Sequence, residues 1–225
     1  MPLIIILVES GLELVPDELK SEKIAKNNYN PNYFPSLILD NAIYHPIMKK
    51  LRNYEKRGRP DIVHQFLLNA LGSPLNKEGH LELYIHTTND EIFKINPELR
   101  ILRNYERFKG LMAKLLIDRE IIHDNETLIS EYKGTLKDLI KTVEPNSVLM
   151  FSSKSELVKD PISLFPKDPE KKIIALVGGF QKGIISDNLS AIISSDNLLS
   201  IYPKPLDSWV VVSRIITYYE LALKI

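Results

Sequence analysis

The 225-residue chain contains no cysteine. Disulfides, thiolate metal sites and a cysteine nucleophile are therefore excluded. Neither sign of charge is in excess: 29 basic residues face 29 acidic ones, for a formal net charge of zero. Any attraction to a polyanion must then come from local clustering of cations. The few histidines, His45, His64, His80, His86 and His123, stand at no metal-like spacing, so no metal is expected. No apolar run approaches the ~20 residues of a membrane span. No basic segment precedes the apolar run at the N-terminus, so no secretory leader is expected. These absences lead us to expect a cytoplasmic protein with no membrane partner. The composition is that of a soluble globular chain, long enough for one large domain or two small ones.

Leu3–Val8 is a continuous apolar run and reads as a buried strand. Pro16, Asp17 and Glu18 open a helix, with carboxylates at the positive end of its dipole. Asn27–Pro35 is dense in turn-formers and reads as a loop. A short apolar run, Leu37–Leu39, ends on Asp40, and a helix is expected from Pro46 to about Tyr54. Pro60 starts another helix, whose apolar face is Ile62, Phe66, Leu67 and Ala70 or Leu71, with Gly72 at its end and Pro74 preventing continuation. His80–Thr87 alternates as a half-buried strand does, and a Thr88-Asn89-Asp90 turn leads into a second strand, Glu91–Asn96. The later half of Leu99–Leu116 is an amphipathic helix. Ile121–Lys133 is ambiguous, and Leu136–Val143 is helical. A last helix is predicted over Leu206–Leu223.

Lys171–Gly183 (KKIIALVGGFQKG) is the most informative stretch. Ile173–Val177 suits a strand buried on both faces, and it stops on Gly178 and Gly179, with Gly183 close behind. Such glycines mark either a plain turn or a close backbone approach to a ligand. Val148–Phe151, ending on Ser152-Ser153, and Leu198–Tyr202, ending on Pro203-Lys204-Pro205, are two more short strands. Strands alternating with helices predict an α/β fold with a mostly parallel sheet covered on both faces, elaborated by the His80–Asn96 hairpin. Ligands of open α/β sheets sit beyond the carboxyl ends of strands. One ligand site built by three loops is a better account than three unrelated turns. The glycine spacing matches neither a Rossmann fingerprint nor a Walker A loop, and no serine stands in a nucleophile elbow.

Arg57 and Arg59 precede a helix start, and Arg100, Arg103 and Arg107 recur at spacings of three and four. If Arg103 and Arg107 are helical they share a face. Guanidinium forks match phosphate oxygens, and Tyr105 and Phe108 could stack on bases. The alternative is a solvated face neutralised by Glu55, Glu98 and Glu106. Asp61 either serves the first turn of its helix, or holds Arg59 and accepts a hydrogen bond from a substrate base. Trp209 and the Tyr218-Tyr219 pair read as core or dimer contacts.

RGRPDIVHQFLLNALGSPLNKEGHLELYIHT, INPELRILRNYERFKGLM, VGGFQKG and LSIYPKPLDSW occur in this order. Together they resemble the signature blocks of the small-subunit ribosomal RNA pseudouridine N1-specific methyltransferases, the nucleolar essential protein or essential-for-mitotic-growth family of the SPOUT class. The resemblance runs over nearly the whole chain and is strongest in residues 57–112 and 171–210.

It implies an α/β knot in a single domain, with a family-specific RNA-binding elaboration at about 45–110, and a homodimer. It implies S-adenosylmethionine held by three loops. Their residues here are Gly178 and Gly183, then Ser200, Ile201, Tyr202, Pro203, Lys204, Pro205 and Leu206, with Ser152-Ser153 in the remaining loop. It assigns small-subunit ribosomal RNA to Arg59, Asp61, Arg100, Arg103 and Arg107, with methyl transfer to N1 of a pseudouridine. Asp61 becomes the candidate to orient the base or take its proton. Two other functions stand beside this one: a non-catalytic RNA-binding assembly factor for the small subunit, and a SPOUT ribose methyltransferase.

Overall fold

β1 (Leu3–Ser10) is buried at every position, because it has a parallel strand on either side and helices over each face. The computed structural model describes residues 3–168, 170–183 and 185–225. The other strands are β2 (Leu81–Thr87), β3 (Ile92–Ile95), β4 (Glu120–His123), β5 (Glu126–Glu131), β6 (Ser147–Leu157), β7 (Ile173–Gly178) and β8 (Leu198–Ser200). They form one sheet in the order β4-β5-β3-β2-β1-β7-β6-β8. β1 pairs in parallel with β2 and β7, and β6 does so with β7 and β8. The β2–β3, β3–β5 and β4–β5 pairs are antiparallel. The sheet is thus mostly parallel on the side that carries the glycine stretch, as expected.

The helices are α1 (Asp17–Lys20), α2 (Lys23–Asn28), α3 (Asn41–Met48), α4 (Pro60–Leu71), α5 (Pro74–Lys77), α6 (Tyr105–Asp118), α7 (Leu136–Val143), α8 (Asp187–Ser190) and α9 (Ser208–Leu223). Strand alternation divides the core between the two faces. Leu3, Ile5, Leu7, Ala175 and Val177 pack with Phe66 of α4, Phe108 of α6 and Tyr219 of α9. Ile4, Ile6, Val8, Ile174 and Leu176 pack with Leu136 and Leu139 of α7 and Leu189 of α8. Each such side chain contributes on the order of 1.5–3 kcal/mol by leaving water. A third cluster, including Leu19, Leu39, Tyr44 and Met48, holds α1 to α3 together.

Three local expectations are corrected and one ambiguity is resolved. The helix predicted over Pro46–Tyr54 lies five residues earlier. Asp40 caps it by accepting the Ala42 amide at 3.0 Å, which leaves Pro46 inside the helix. Side-chain capping outweighed the preference of proline for a first turn. Ile121–Lys133 forms the β4–β5 hairpin, turned at Asp124 and Asn125, both with positive φ. β2 is almost wholly buried rather than half-buried, since it lies inside the sheet. β6 continues through Ser152-Ser153 to Leu157 instead of ending there.

Candidate functional site

β6, β7 and β8 run in the same direction, so their carboxyl ends meet at one edge. Phe151 and Glu156 of β6 both stand opposite Leu199 of β8. Ser152–Ser155 therefore leave the ladder as an excursion within a continuous strand. That excursion, the glycine loop and the chain after β8 enclose a cavity of about 430 Å³. Ser152, Ser153, Gly178, Gly183, Ser200, Ile201, Tyr202, Lys204, Pro205 and Leu206 all border it, and Pro203 does not. The three loops thus border one cavity.

The glycine loop lies tightly against β1. A methyl on Gly179 would stand 2.6 Å from Ser10 Oγ and 2.8 Å from Ser10 Cα, so only glycine permits this approach. Gly183 has φ +121, a conformation L-side chains rarely adopt. The Ser208 hydroxyl donates to the Gly178 carbonyl at 2.5 Å, fixing the loop to the first turn of α9. The Ser200 hydroxyl donates to the Tyr202 carbonyl at 2.7 Å and shapes the third loop in the same way.

Behind the glycine loop stands a buried ion pair. Lys56 Nζ donates to Glu9 Oε2 at 2.6 Å, and the Ser186 amide donates to Glu9 Oε1 at 3.1 Å. The Lys56 ammonium also lies 4.8 Å from the centre of the Phe180 ring, and its stem runs beneath Gly183. Glu9 sits at the end of β1 with φ +52, a strained conformation for a non-glycine residue. Its amide donates to His86 Nδ1 at 3.2 Å, and His86 Nε2 stands 3.1 Å from Asp90 Oδ1. Burial pushes the His86 imidazole below its ordinary value, against the opposing pull of Asp90 and Glu9.

Arg59 connects this cavity to the outside. Its Nε and Nη2 donate to the two Asp61 oxygens at 2.8 and 2.6 Å, and its Nη1 donates to Gln181 Oε1 at 2.5 Å. The Asp61 hydrogen bond outweighs partial burial and raises the Arg59 guanidinium above its usual value. No side chain caps the N-terminus of α4. The Asp61 carboxylate, the acidic group of that first turn, is given to Arg59 instead. Arg100, Arg103 and Arg107 are exposed. Among the described residues none of the three has a carboxylate within ion-pair distance. Glu106 bonds Lys109 at 2.7 Å, so it does not neutralise them.

Other parts of the arginine reading change. Arg57 leaves the patch: it makes a two-pronged bond to the buried Glu13 at 2.5–3.2 Å. Arg103 precedes α6, whose cap is Asn104, so Arg103 and Arg107 do not share a helical face. Phe108 is fully buried, stacked on His64 at 4.3 Å, and cannot reach a base. The Tyr105 hydroxyl is held by Asp40 at 3.2 Å; burial first, then the Asp40 charge, push it well above its ordinary value. Lys56 and Glu9 were missed, because nothing local distinguishes them, and Phe180 was not singled out within the glycine stretch. Gln181 lay inside the glycine stretch, but only the fold brings Arg59 to it.

The model of a family described as EMG1/NEP1 methyltransferase matches residues 5–220. The ribosomal RNA small subunit methyltransferase Nep1 of Staphylothermus marinus is 42% identical over 222 residues, covering 97% of this chain and 95% of that protein. The protein of the same name from Thermococcus sibiricus is 40% identical over 219 residues, covering 96% of each. The crystal structure of Archaeoglobus fulgidus Nep1 bound to S-adenosylhomocysteine matches with a TM-score of 0.85 at 31% identity, over 100% of both chains.

Proposed function

The chain belongs to the EMG1/NEP1 methyltransferase family, and from that membership we propose that it methylates N1 of a pseudouridine in small-subunit ribosomal RNA. It is an S-adenosylmethionine-dependent ribosomal RNA methyltransferase with the SPOUT-class α/β fold. The observation that carries the reading is the three-loop cavity, tied through Gln181 to Arg59 and Asp61. Its volume of about 430 Å³ falls in the range of small-molecule sites. Val177, Ile201 and Leu206 offer apolar walls, and Lys154, Lys182 and Lys204 bring positive charge for an amino-acid carboxylate. These residues fit the cofactor.

S-adenosylmethionine, when bound, supplies an electrophilic methyl group on a sulfonium sulfur. The work of the chain is then alignment, worth several kcal/mol when the reacting atoms are held in line. With the cofactor bound, Gly178 and Gly183 would let backbone close on it, and Ser200–Tyr202 with Lys204–Leu206 would form the opposite wall. Arg59 holds Asp61 by both oxygens, and each oxygen keeps a lone pair free to accept from a base N–H. Asp61 orients the N1–H of the target base and takes its proton. Arg100, Arg103 and Arg107 hold the RNA backbone.

The same reading takes the three loops as the SPOUT knot and the chain as a single domain whose elaboration at about 45–110 binds RNA. It takes the active species as a cytoplasmic homodimer. Incubation with labelled S-adenosylmethionine and a stem-loop carrying pseudouridine or uridine at the target tests it. Label on the pseudouridine RNA alone is expected. Label on both would turn the reading towards the ribose hydroxyl, and label on neither towards a non-catalytic assembly factor.

A further inference from the structure

The loop before α3 exposes two neighbouring aromatic rings, Tyr33 at 50% and Phe34 at 44%. Single exposed apolar residues are common, but this loop is held rigidly. The Asn30 amide donates to Ser36 Oγ at 2.9 Å, and Ser36 Oγ lies 2.8 Å from the Tyr33 carbonyl. The Asn32 amide donates to Asn30 Oδ1 at 2.9 Å. The Leu37 and Ile38 side chains that follow are buried in the core.

The loop sits on the first half of α6. Pro35 lies 3.3 Å from where a Cβ of Gly110 would stand, and Phe34 Cβ lies 3.9 Å from it. Tyr33 Oη reaches Glu106 at 3.5 Å. Arg107 is one turn before Gly110, and Arg103 stands just ahead of the helix. Two exposed aromatic rings therefore lie against the part of α6 that carries Arg107, which has no carboxylate within ion-pair distance among the described residues. Glu106, the carboxylate between them, is already engaged by Lys109.

We propose that Tyr33 and Phe34 are a base-stacking platform for single-stranded nucleotides of the bound RNA, flanking the target and anchored by Arg103 and Arg107. This rests on the small-subunit RNA reading. It takes the place of Phe108, which is buried, and of Tyr105, which is half-buried with its hydroxyl on Asp40. An aromatic face accepts any base, so the platform adds affinity for unpaired loops and little sequence preference. A duplex hides its bases and gains nothing from it.

Fluorescence anisotropy with a pseudouridine stem-loop and a duplex of equal charge tests this, using the full chain, wild type and Tyr33→Ala/Phe34→Ala. The double variant should bind the stem-loop roughly tenfold more weakly or worse. Its duplex affinity, its S-adenosylhomocysteine affinity and the slope of affinity against salt should be unchanged, since stacking releases no counterions. Arg107→Ala should instead flatten that slope by about one. Tyr33→Trp/Phe34→Trp should retain stem-loop affinity, which a merely structural role for the rings would not predict. Equal stem-loop binding by wild type and the alanine variant overturns the platform and leaves the methyltransferase reading standing. Unchanged RNA binding with a fall in oligomeric mass overturns it in favour of a contact between copies. Failure of the wild type to bind the stem-loop sinks the platform and the RNA reading together.

Discussion

Arg59 donates to Gln181 across 122 residues of sequence, while the other edge of the same guanidinium holds Asp61. One side chain thus touches both the loop that borders the cavity and the acid proposed to face the base. A ligand that orders the glycine loop also fixes the Arg59 fork. S-adenosylhomocysteine should therefore tighten RNA binding, and RNA should tighten S-adenosylhomocysteine binding by the same factor. Gln181→Ala should bring that factor towards one. RNA titrations with and without the cofactor product measure it, and a wild-type ratio in the variant would remove Gln181 from the coupling.

Asp61→Asn keeps the shape of the residue and loses its charge and its proton-accepting role. Turnover should fall by on the order of 10²-fold, in the range of general acid–base effects. RNA affinity should stay within about threefold, because the arginines proposed to hold the backbone remain. Intact turnover at normal affinity would reduce Asp61 to a partner of Arg59.

Lys56→Met retains the stem beneath Gly183 but removes the ammonium from Glu9 and Phe180. The stranded buried carboxylate should lower stability by about 3–5 kcal/mol. Adding Glu9→Gln should recover most of that loss, since no unpaired charge remains. Affinity for S-adenosylhomocysteine, measured by calorimetry, should stay weakened in both variants. If the double variant regains full cofactor affinity, Lys56 serves stability alone.

Gly179→Ala forces a methyl within 2.6 Å of Ser10 Oγ. Overpacking of this kind costs about 1–3 kcal/mol, which for a chain of this size lowers the melting temperature by about 2–4 °C per kcal/mol. A thermal melt unchanged from wild type would show that the glycine loop is free to lift from β1.

His86 is held neutral, with its folded value below the 6.5 of a free imidazole. The unfolded chain therefore binds the extra proton first as pH falls. The contribution of His86 to stability is fully present above about pH 6.5 and is lost progressively below it, towards the folded value. Glu9 and Asp90 face the ring and oppose the shift. His86→Asn supplies an acceptor for the Glu9 amide without a titrating group. Thermal melts between pH 7.5 and 5.5 should fall less steeply in this variant than in wild type.

The sheet was legible where burial repeats in the chain. The apolar runs of β1 and β7 have parallel neighbours on both sides, and their sequences carry that enclosure. α7, predicted over Leu136–Val143, coincides with the observed helix because Thr135 and Asp138 form a reciprocal cap within the helix itself. The β4–β5 hairpin was ambiguous because its turn, Asp124-Asn125, carries no glycine. The site was legible to the extent that it is made of loop residues with unusual backbone demands. Gly179, Gly183 and the proline-bounded third loop fell into that class. Glu9 and Lys56 belong to the site only through contacts 47 residues apart, and Arg57 differs from Arg59 only in what stands opposite it. Nothing along the chain separates one arginine paired with buried Glu13 from another paired with Asp61 and Gln181.

The position of β1 sets a timetable for synthesis. Its neighbour β2 follows early in the chain, but its other neighbour, β7, begins only at Ile173. A growing chain therefore carries an unpaired strand edge, apolar from Leu3 to Val8, until the glycine stretch has left the ribosome. At roughly 5–20 residues per second that exposure lasts on the order of ten seconds. An unpaired apolar edge is a template for aggregation during that interval. The segments that carry Arg59, Arg100, Arg103 and Arg107 are finished long before the loops that border the cavity, so the surface proposed to meet RNA is made first. Truncation anywhere before Val177 should give an insoluble product rather than a smaller RNA-binding protein.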